Sequence, residues 1–309
     1  MREQILLIYN PKAGKGLFLN HLSTVIDLFV KAGFRIEVYP TQANGDAVKK
    51  LSTVEEKEFS MIVTAGGDGT LDEVVTGMLN HGLDIPIGYI PVGSTNDYAT
   101  SLGLSSNVVQ AVGDILDGIP KKVDAGRLND QHVFIYVAAF GAFTDVAYET
   151  NQDMKNILGH VAYLIEATKR ITDLKPYHLK VHSDSLTREG DYLFGMVTNS
   201  ISVGGFRNIT GKGVELDDGV FEVTLIRRPT NLIELNEIVT SLLTQNYKTQ
   251  MIDYFKTDRI ELSCEEEMPW TLDGEFGGAY KETTIVNERQ RIRIFTDPSK
   301  IRSVLVPIN

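Results

Sequence analysis

The chain has 309 residues, of which 42% are hydrophobic and 23% charged, and its formal net charge is −11. This length suits two domains with separate cores, no stretch has the roughly 20 apolar residues of a membrane-spanning helix, and the acidic balance excludes broad nucleic-acid binding. The one cysteine, Cys264, excludes an internal disulfide and a cysteine-based zinc cluster, which favours the cytoplasm.

The first part of the chain alternates short apolar runs with helical patterns. Residues 4–9, QILLIY, are a buried strand that stops at Asn10-Pro11, and apolar residues recur at helical spacing over residues 18–32. Further strands are predicted over residues 34–40, 61–67 and 85–93, and further helices over residues 44–56, 71–82 and from about 97 onwards. Alternation with short links predicts an α/β fold with a Rossmann-like parallel sheet covered by helices.

After about residue 122 the pattern changes to strand-like runs separated by turns. Only two helices interrupt them, near residues 154–172 and 231–245. This pattern predicts a second, mainly-β domain, an antiparallel β-sandwich, over residues 126–295. Residues 1–125 then form the α/β domain, and we expect the C-terminal segment 296–309 to rejoin it.

Three turn-rich loops follow the first, third and fourth strands, at residues 10–14, 66–70 and 93–97. In a parallel sheet these loops project from one edge, where ligands bind. Glycine lets backbone N–H groups approach an anion, and a following helix adds its positive N-terminal end. The loops therefore predict a nucleotide phosphate site. The chain has no GxxxxGK[ST] or GxGxxG motif, so the site is neither a Walker loop nor an ordinary dinucleotide fingerprint.

Two carboxylates stand within these loops. Asp68 would repel phosphates unless a cation lay between them, and Asp97 comes from a neighbouring loop. Mg²⁺ takes one or two carboxylates and keeps several waters, so the pair predicts a magnesium site. Asp97 is also expected to cap the helix that follows it.

A second acidic pair lies at the Asp-Gly turn in Trp270-Thr271-Leu272-Asp273-Gly274-Glu275. We expect this turn of the second domain to face the phosphate edge of the first. A phosphoryl acceptor hydroxyl needs a carboxylate within hydrogen-bond reach to take its proton. Asp273 and Glu275 are both candidates, and the sequence does not choose between them.

Five motifs together resemble one known family. They are NPKAG at 10–14, GGDGT at 66–70, PVGSTND at 91–97, DDG at 217–219 and LDGE at 272–275. In this order they resemble the diacylglycerol kinase catalytic-domain family, and most of all its soluble bacterial lipid kinases of the DgkB and YegS type. The resemblance covers essentially the whole chain and implies the same two-domain layout. GGDGT is shared with NAD kinases and phosphofructokinases, whereas GGDGT followed by LDGE is more specific.

The resemblance assigns roles to individual residues. It implies that ATP is bound by these residues: Asn10, Gly14, Thr41, Gly66, Gly67, Asp68, Gly69, Thr70, Glu73, Ser94, Asn96 and Asp97. Ser94 stands where the family usually has threonine, and the hydroxyl is retained. Asp68, Asp273 and Glu275 would be catalytic. A structural Mg²⁺ would be held by the Asp218 side chain and the backbone carbonyls of Glu215 and Val220.

The activity implied is that of an ATP-dependent lipid kinase, with diacylglycerol converted to phosphatidic acid as the favoured reaction and Mg²⁺ as the metal. Its partners would be ATP and a lipid at the inner face of the membrane, where the enzyme would be peripheral. Because the family contains dimers, a homodimer is among the implied assemblies. Two alternatives stay open: a soluble kinase of the NAD-kinase type, and a regulatory protein that binds a nucleotide without turnover.

Overall fold

The computed structural model describes residues 3–141, 175–207, 210–211 and 213–297. The helix predicted near 154–172 and nearly all of the segment 296–309 lie outside the described residues. The chain forms two compact units, one within Met1–Ala125 and Arg289–Asn309 and the other within Gly126–Glu288. The chain therefore re-enters the first unit at Arg289, before the predicted position at residue 296.

The sheet of the first unit is built from parallel pairs. Its strands are β1 (Gln4–Tyr9), β2 (Arg35–Pro40), β3 (Met61–Gly66) and β4 (Ile87–Pro91). They lie in the order β2-β1-β3-β4, and Ile294, near the end of the long strand Glu275–Thr296, pairs parallel with Ile87 of β4. The carboxyl ends of these strands therefore lie at one edge, which is where the three loops begin.

Short helices connect these strands. They are a 3-10 segment at Ala13–Asn20, α1 (Leu22–Lys31), α2 (Asp46–Leu51), α3 (Asp68–Asn80), α4 (Asp97–Ser101) and α5 (Val108–Asp117). The helix predicted from residue 18 begins only at Leu22, because Gly14, Lys15 and Gly16 take left-handed conformations in the preceding segment. Among the described residues, no helix is both long and apolar enough to cross a membrane.

The helix α3 begins at Asp68, three residues before the predicted start at Leu71. Gly67, the residue immediately before the helix, has an extended conformation. The N–H groups of Thr70 and Leu71 both donate to the Gly67 carbonyl. Asp68, Gly69 and Thr70 therefore form the first helical turn. The acidic side chain at this position is favourable because it lies at the positive end of the helix.

The second unit is β-rich, and its main strands are paired antiparallel. Within the described residues, the elements from Ile119 onwards are β5 (Ile119–Leu128), β6 (His132–Phe134), β7 (Val137–Gly141), β8 (Tyr177–His182), β9 (Thr187–Thr198), β10 (Ser202–Val203), β11 (Phe206–Arg207), β12 (Phe221–Arg227), α6 (Leu232–Thr244), β13 (Ile252–Thr257), β14 (Arg259–Leu272) and β15 (Glu275–Thr296). The central order is β13-β12-β9-β7-β14-β15, and β8 pairs with β9 and β14.

The core of the second unit lies against β14. Trp270 is completely buried, its ring packs edge-on against Phe140 at a centroid distance of 5.1 Å, and its indole N–H donates to the Thr283 hydroxyl at 3.0 Å. A buried aromatic side chain of this kind contributes roughly 2–3 kcal/mol by burial. It anchors the end of β14, where the Asp-Gly turn begins.

Candidate active site

The three loops predicted to share an edge are in backbone contact. A Cβ atom added at Gly93 would lie 2.5 Å from the Gly67 Cα atom, and one added at Gly14 would lie 2.0 Å from the Val92 carbonyl oxygen. Gly14 also has a φ of +55°. Any larger side chain at these positions would push the loops apart, so the glycines are required by the approach of one backbone to another.

The first loop is held to β3 and folds on itself. The Asn10 N–H donates to the Ala65 carbonyl at 3.0 Å, and the Asn10 side-chain oxygen accepts from the Lys12 N–H at 2.9 Å. Thr41 lies beside it, because its N–H donates to the Tyr9 carbonyl at 2.9 Å. Asn10, Gly14 and Thr41 therefore lie at the same edge as the other loops.

The third loop is closed by Asn96. Its side-chain oxygen accepts from the Gly93 N–H and its side-chain amide donates to the Gly93 carbonyl, both at 2.9 Å. Asn96 has a φ of +54°, a left-handed conformation that asparagine tolerates better than most residues. Ser94, between these two residues, is exposed.

Asp68 joins the second loop to the third. Its carboxylate accepts from the Asp97 N–H at 2.9 Å and from the Tyr98 N–H at 3.2 Å, so it caps the start of α4. Burial raises the pKa of Asp68 to about 6; the backbone N–H groups of Asp97, Tyr98 and Asn96 lower it, and the Asp97 charge raises it. Asp97 itself is only 2% exposed. Two carboxylates thus share a partly dehydrated position at the edge of the sheet.

Thr70 and Glu73, both in α3, contact other parts of the first unit. The Thr70 side chain lies against Gly66, where an added Cβ atom would be 2.4 Å from the Thr70 Cβ atom. Glu73 was predicted to line the phosphates, but its carboxylate accepts from the Gly45 N–H at 2.9 Å and the Ala47 N–H at 3.1 Å. Glu73 therefore caps the start of α2, and its contact with the phosphates stays a prediction.

Tyr89 is a residue that sequence reasoning missed. It is fully buried in β4, and its hydroxyl lies 3.5 Å from both the Gly66 carbonyl and the Asn96 side-chain oxygen. The Tyr89 hydroxyl therefore contacts the second loop at Gly66 and the third loop at Asn96. The sequence signal for this role is a tyrosine within an otherwise apolar strand. A buried tyrosine hydroxyl usually has a hydrogen-bond partner, so such a residue indicates a polar contact.

The Asp-Gly turn of the second unit is a two-residue hairpin. Asp273 and Gly274 have φ values of +50° and +90°, and Leu272 pairs with Glu275 across the turn. Positive φ at both central residues matches the twist of an antiparallel pair, and Asp-Gly is a favoured sequence for it. Asp273 and Glu275 therefore do not share the face of one regular strand.

Asp273 is held by three backbone donors. Its carboxylate accepts from the N–H groups of Ile135, Tyr136 and Val137 at 2.6, 3.1 and 2.9 Å, and its side chain and backbone are only 6% exposed. These bonds draw residues 135–137 around the carboxylate. The interruption between β6 and β7 lies at these residues. Glu275, by contrast, is exposed.

The predicted structural metal site contains a lysine. Asp218 accepts from the Val220 N–H at 3.1 Å, and its other carboxylate oxygen is 3.5 Å from the Lys256 ammonium. Glu215 is exposed. Among the described residues, no three His, Cys, Asp or Glu side chains are grouped as metal ligands. An ammonium beside the Asp218 carboxylate does not fit a divalent cation at the same position, because the two positive charges would repel.

Two family models match the chain. The diacylglycerol kinase catalytic domain matches residues 4–128, and the YegS C-terminal NAD kinase beta sandwich-like domain matches residues 137–295. A diacylglycerol kinase of Staphylococcus carnosus is 34% identical over 297 residues, which cover 96% of each chain. The chain belongs to the diacylglycerol kinase family.

Other relatives agree with this assignment. A diacylglycerol kinase of Bacillus subtilis is 33% identical over 88% of this chain and 89% of its own. The crystal structure of a diacylglycerol kinase from Bacillus anthracis has the same fold, with a TM-score of 0.74, 21% identity and coverage of 96% of this chain and 98% of the other. The resemblance drawn from the motifs is confirmed, and as a member of this kinase family the chain is a phosphotransferase.

The two family matches contain both acidic motifs. The three loops lie within residues 4–128, and the Asp273 turn and Asp218 lie within residues 137–295. In this diacylglycerol kinase family member, the first unit combines backbone contact between glycine loops with an acidic pair, Asp68 and Asp97. The second unit contains the Asp273 turn, which is followed by the exposed residue Glu275.

Proposed function

We propose that the chain transfers the γ-phosphoryl group of ATP to the hydroxyl of diacylglycerol, giving phosphatidic acid and ADP. The observation that carries this proposal is the full-length similarity to diacylglycerol kinases, which includes both the glycine loops and the Asp-Gly turn. Neither the NAD-kinase alternative nor a nucleotide-binding regulator requires the Leu272–Glu275 turn.

ATP would be bound at the edge formed by the three loops. Gly66, Gly67 and Gly69 allow backbone N–H groups to approach its phosphates, and the 13-residue helix α3 adds the positive end of its dipole. Asn10, Gly14, Thr41, Ser94 and Asn96 would complete the site. Asn96 would act by holding the Gly93 turn in shape, since both ends of its carboxamide bond to Gly93.

Mg²⁺ fits the Asp68 and Asp97 pair. The negative charge of Asp97 raises the pKa of Asp68 in addition to the effect of burial, so a cation at this position would relieve a repulsion that the fold maintains. When bound, the ion would neutralise charge on the β- and γ-phosphate oxygens. The structural site implied for Glu215, Asp218 and Val220 does not fit in this way, and no step is assigned to it.

We assign the acceptor's proton to Glu275. Asp273 would have to give up bonds to three backbone donors in order to bind a proton, whereas Glu275 is exposed on the first residue of β15. The acceptor oxygen forms a bond to the γ-phosphorus atom, the bond from that atom to the bridging oxygen breaks, and ADP leaves with the electron pair. The hydroxyl proton passes to Glu275 as the new bond forms.

A lipid acceptor agrees with the location predicted from the sequence. We propose that the enzyme is cytoplasmic and that it works at the inner face of the membrane. We also propose that the parallel sheet of the first unit is Rossmann-like and that the second unit is a β-sandwich. The homodimer stays a prediction.

The experiment that tests the function offers γ-labelled ATP and Mg²⁺ with mixed micelles containing diacylglycerol, phosphatidylglycerol or sphingosine, and NAD in a parallel reaction. Label in phosphatidic acid is the expected result. Label only in another lipid would correct the acceptor, and label only in NADP would favour the NAD-kinase alternative. ATP binding without label in any acceptor would contradict the proposal and favour the regulatory alternative.

A further inference from the structure

A lysine lies at the centre of an acidic cluster in the second unit. The Lys256 ammonium is 2.8 Å from a Glu222 carboxylate oxygen, 2.8 Å from the Gly213 carbonyl oxygen and 3.5 Å from an Asp218 carboxylate oxygen. The Gly213 and Asp218 oxygens accept hydrogen bonds from the ammonium, and the Glu222 carboxylate forms an ion pair with it. The cluster, defined as Asp218, Glu222 and Lys256, joins β12, β13 and the turn before β12.

The fold places this lysine by strand register. Glu222 of β12 lies directly opposite Lys256 of β13 in the antiparallel ladder, where opposite charges stabilise a pair. The Glu222 side chain is completely buried, and the Lys256 side chain is 35% exposed. A buried carboxylate without a nearby cation would be strongly unfavourable, so Lys256 is bound to its place by the charge of Glu222.

The Lys256 ammonium lies among oxygens of Glu222, Gly213 and Asp218. A cation bound to the Asp218 oxygen that faces the lysine would have to lie at the same position.

We propose that Lys256 is the resident cation of this cluster and that the second unit holds no divalent metal at Asp218. The ammonium neutralises Glu222, occupies the oxygen of Asp218 that faces it, and ties the turn before β12 to β13. A corollary follows from the same contacts. Removal of the Lys256 charge would leave oxygens of Asp218, Glu222 and Gly213 around one position, which is the oxygen donor set that Mg²⁺ and Ca²⁺ prefer.

The test is thermal unfolding without ATP, in a chelator and in millimolar MgCl2 or CaCl2, for the wild type and three variants: Asp218→Asn, Lys256→Met and Lys256→Arg. Any stabilisation of the wild type by Mg²⁺ should be the same in Asp218→Asn. Lys256→Met should unfold at a lower temperature in chelator and regain about 3 °C or more in Mg²⁺ or Ca²⁺. Lys256→Arg should respond to metal as the wild type does.

Two results would overturn the proposal: a stabilisation of the wild type by metal that Asp218→Asn removes, or a Lys256→Met protein that gains nothing from either metal. The double variant Lys256→Met with Asp218→Asn is the control. Most of the stabilisation that metal gives to Lys256→Met should be absent from it. If Lys256→Met does not fold, the bound metal of the purified wild type and of Asp218→Asn is measured instead. The proposal predicts equal metal content in the two proteins, and more metal in the wild type would contradict it. No activity is measured, so the outcome is independent of the lipid-kinase assignment.

Discussion

Asp68 at the start of α3 in the first unit and Asp273 in the hairpin turn of the second are both followed by a glycine, and both carboxylates accept hydrogen bonds from backbone N–H groups. The Asp68 carboxylate accepts from backbone N–H groups at the start of α4, remains partly exposed and lies near the buried Asp97. Asp273 has three donors and is 6% exposed. The same residue type in a similar local sequence is therefore placed in two different electrostatic settings.

Under the proposed function, Asp68 would bind a cation in addition to capping α4, whereas Asp273 stabilises the fold. Burial and the Asp97 charge oppose ionisation of Asp68, so a cation at this position would be favourable. The Asp273 carboxylate is already surrounded by donors, and its bonds shape residues 135–137 and the turn that carries Glu275. We expect substitutions at Asp68 to affect activity and substitutions at Asp273 to affect stability.

The largest expected effect is on activity at Asp68. Asp68→Asn removes the charge that would hold the cation while leaving an oxygen to cap α4, so kcat should fall by more than about 10³-fold, since a catalytic metal supplies several kcal/mol. Circular dichroism should show an unchanged fold. Asp27→Asn, an exposed aspartate paired with Lys31 on α1, is the matched control and should keep full activity. Full activity of Asp68→Asn would remove Asp68 from the site.

The next effect is on stability at Asp273. Asp273→Asn keeps the residue size and a side chain that tolerates left-handed φ, but only one amide oxygen remains for three N–H donors. The free energy of unfolding should fall by about 2–3 kcal/mol, as measured by urea denaturation. The control is Asp130→Asn, because Asp130 is exposed and also left-handed, with a φ of +55°. Equal stability of the two variants would contradict the structural role of Asp273.

A smaller effect concerns pH. The pKa of Asp68 rises from 3.8 to about 6 on folding, so the folded state holds its proton more tightly than the unfolded state. The associated stability is present below about pH 4 and is lost as pH rises through 6. In metal-free buffer, the wild type should therefore lose stability relative to Asp68→Asn over this range. A constant difference between the two proteins from pH 4 to 7 would show that the Asp68 pKa is not raised.

The smallest effect is expected at Tyr89. Tyr89→Phe removes a hydroxyl whose contacts to Gly66 and Asn96 are both long, at 3.5 Å. The KM for ATP should rise about threefold, which corresponds to the lower end of a hydrogen bond's contribution, and kcat should change less. A kcat loss at constant KM would instead indicate that Tyr89 acts on the reacting groups.

The sequence predicted much of the first unit, because its signals are local. Short apolar runs indicate the strands, and the parallel sheet then brings residues 10–14, 66–70 and 93–97 to one edge. The start of α3 was misplaced because Gly69 and Thr70 are typical of a loop, although Gly67 is what ends the extended segment. The role of Glu73 was missed because its partners are the backbone of Gly45 and Ala47, which no local pattern indicates.

The second unit was less predictable at its acidic groups, because their partners are distant in sequence. Asp273 and Glu275 are equivalent candidates in the sequence, and the N–H groups of residues 135–137 that donate to Asp273 distinguish them. Likewise, Asp218 matched a metal-site motif, while the lysine that reaches it comes from β13, opposite Glu222. A sequence motif identifies the residue type, whereas the folded structure determines the number and charge of the groups that contact it.

The most direct test compares label transfer from γ-labelled ATP to diacylglycerol by the wild type, Glu275→Gln and Asp273→Asn below the unfolding temperature of each protein. The wild type should label phosphatidic acid, Glu275→Gln should lose about 10²-fold or more in kcat with little change in the KM for ATP or in stability, and Asp273→Asn should retain more activity than Glu275→Gln. Wild-type activity in Glu275→Gln together with its loss in folded Asp273→Asn would contradict the roles assigned to the two acids.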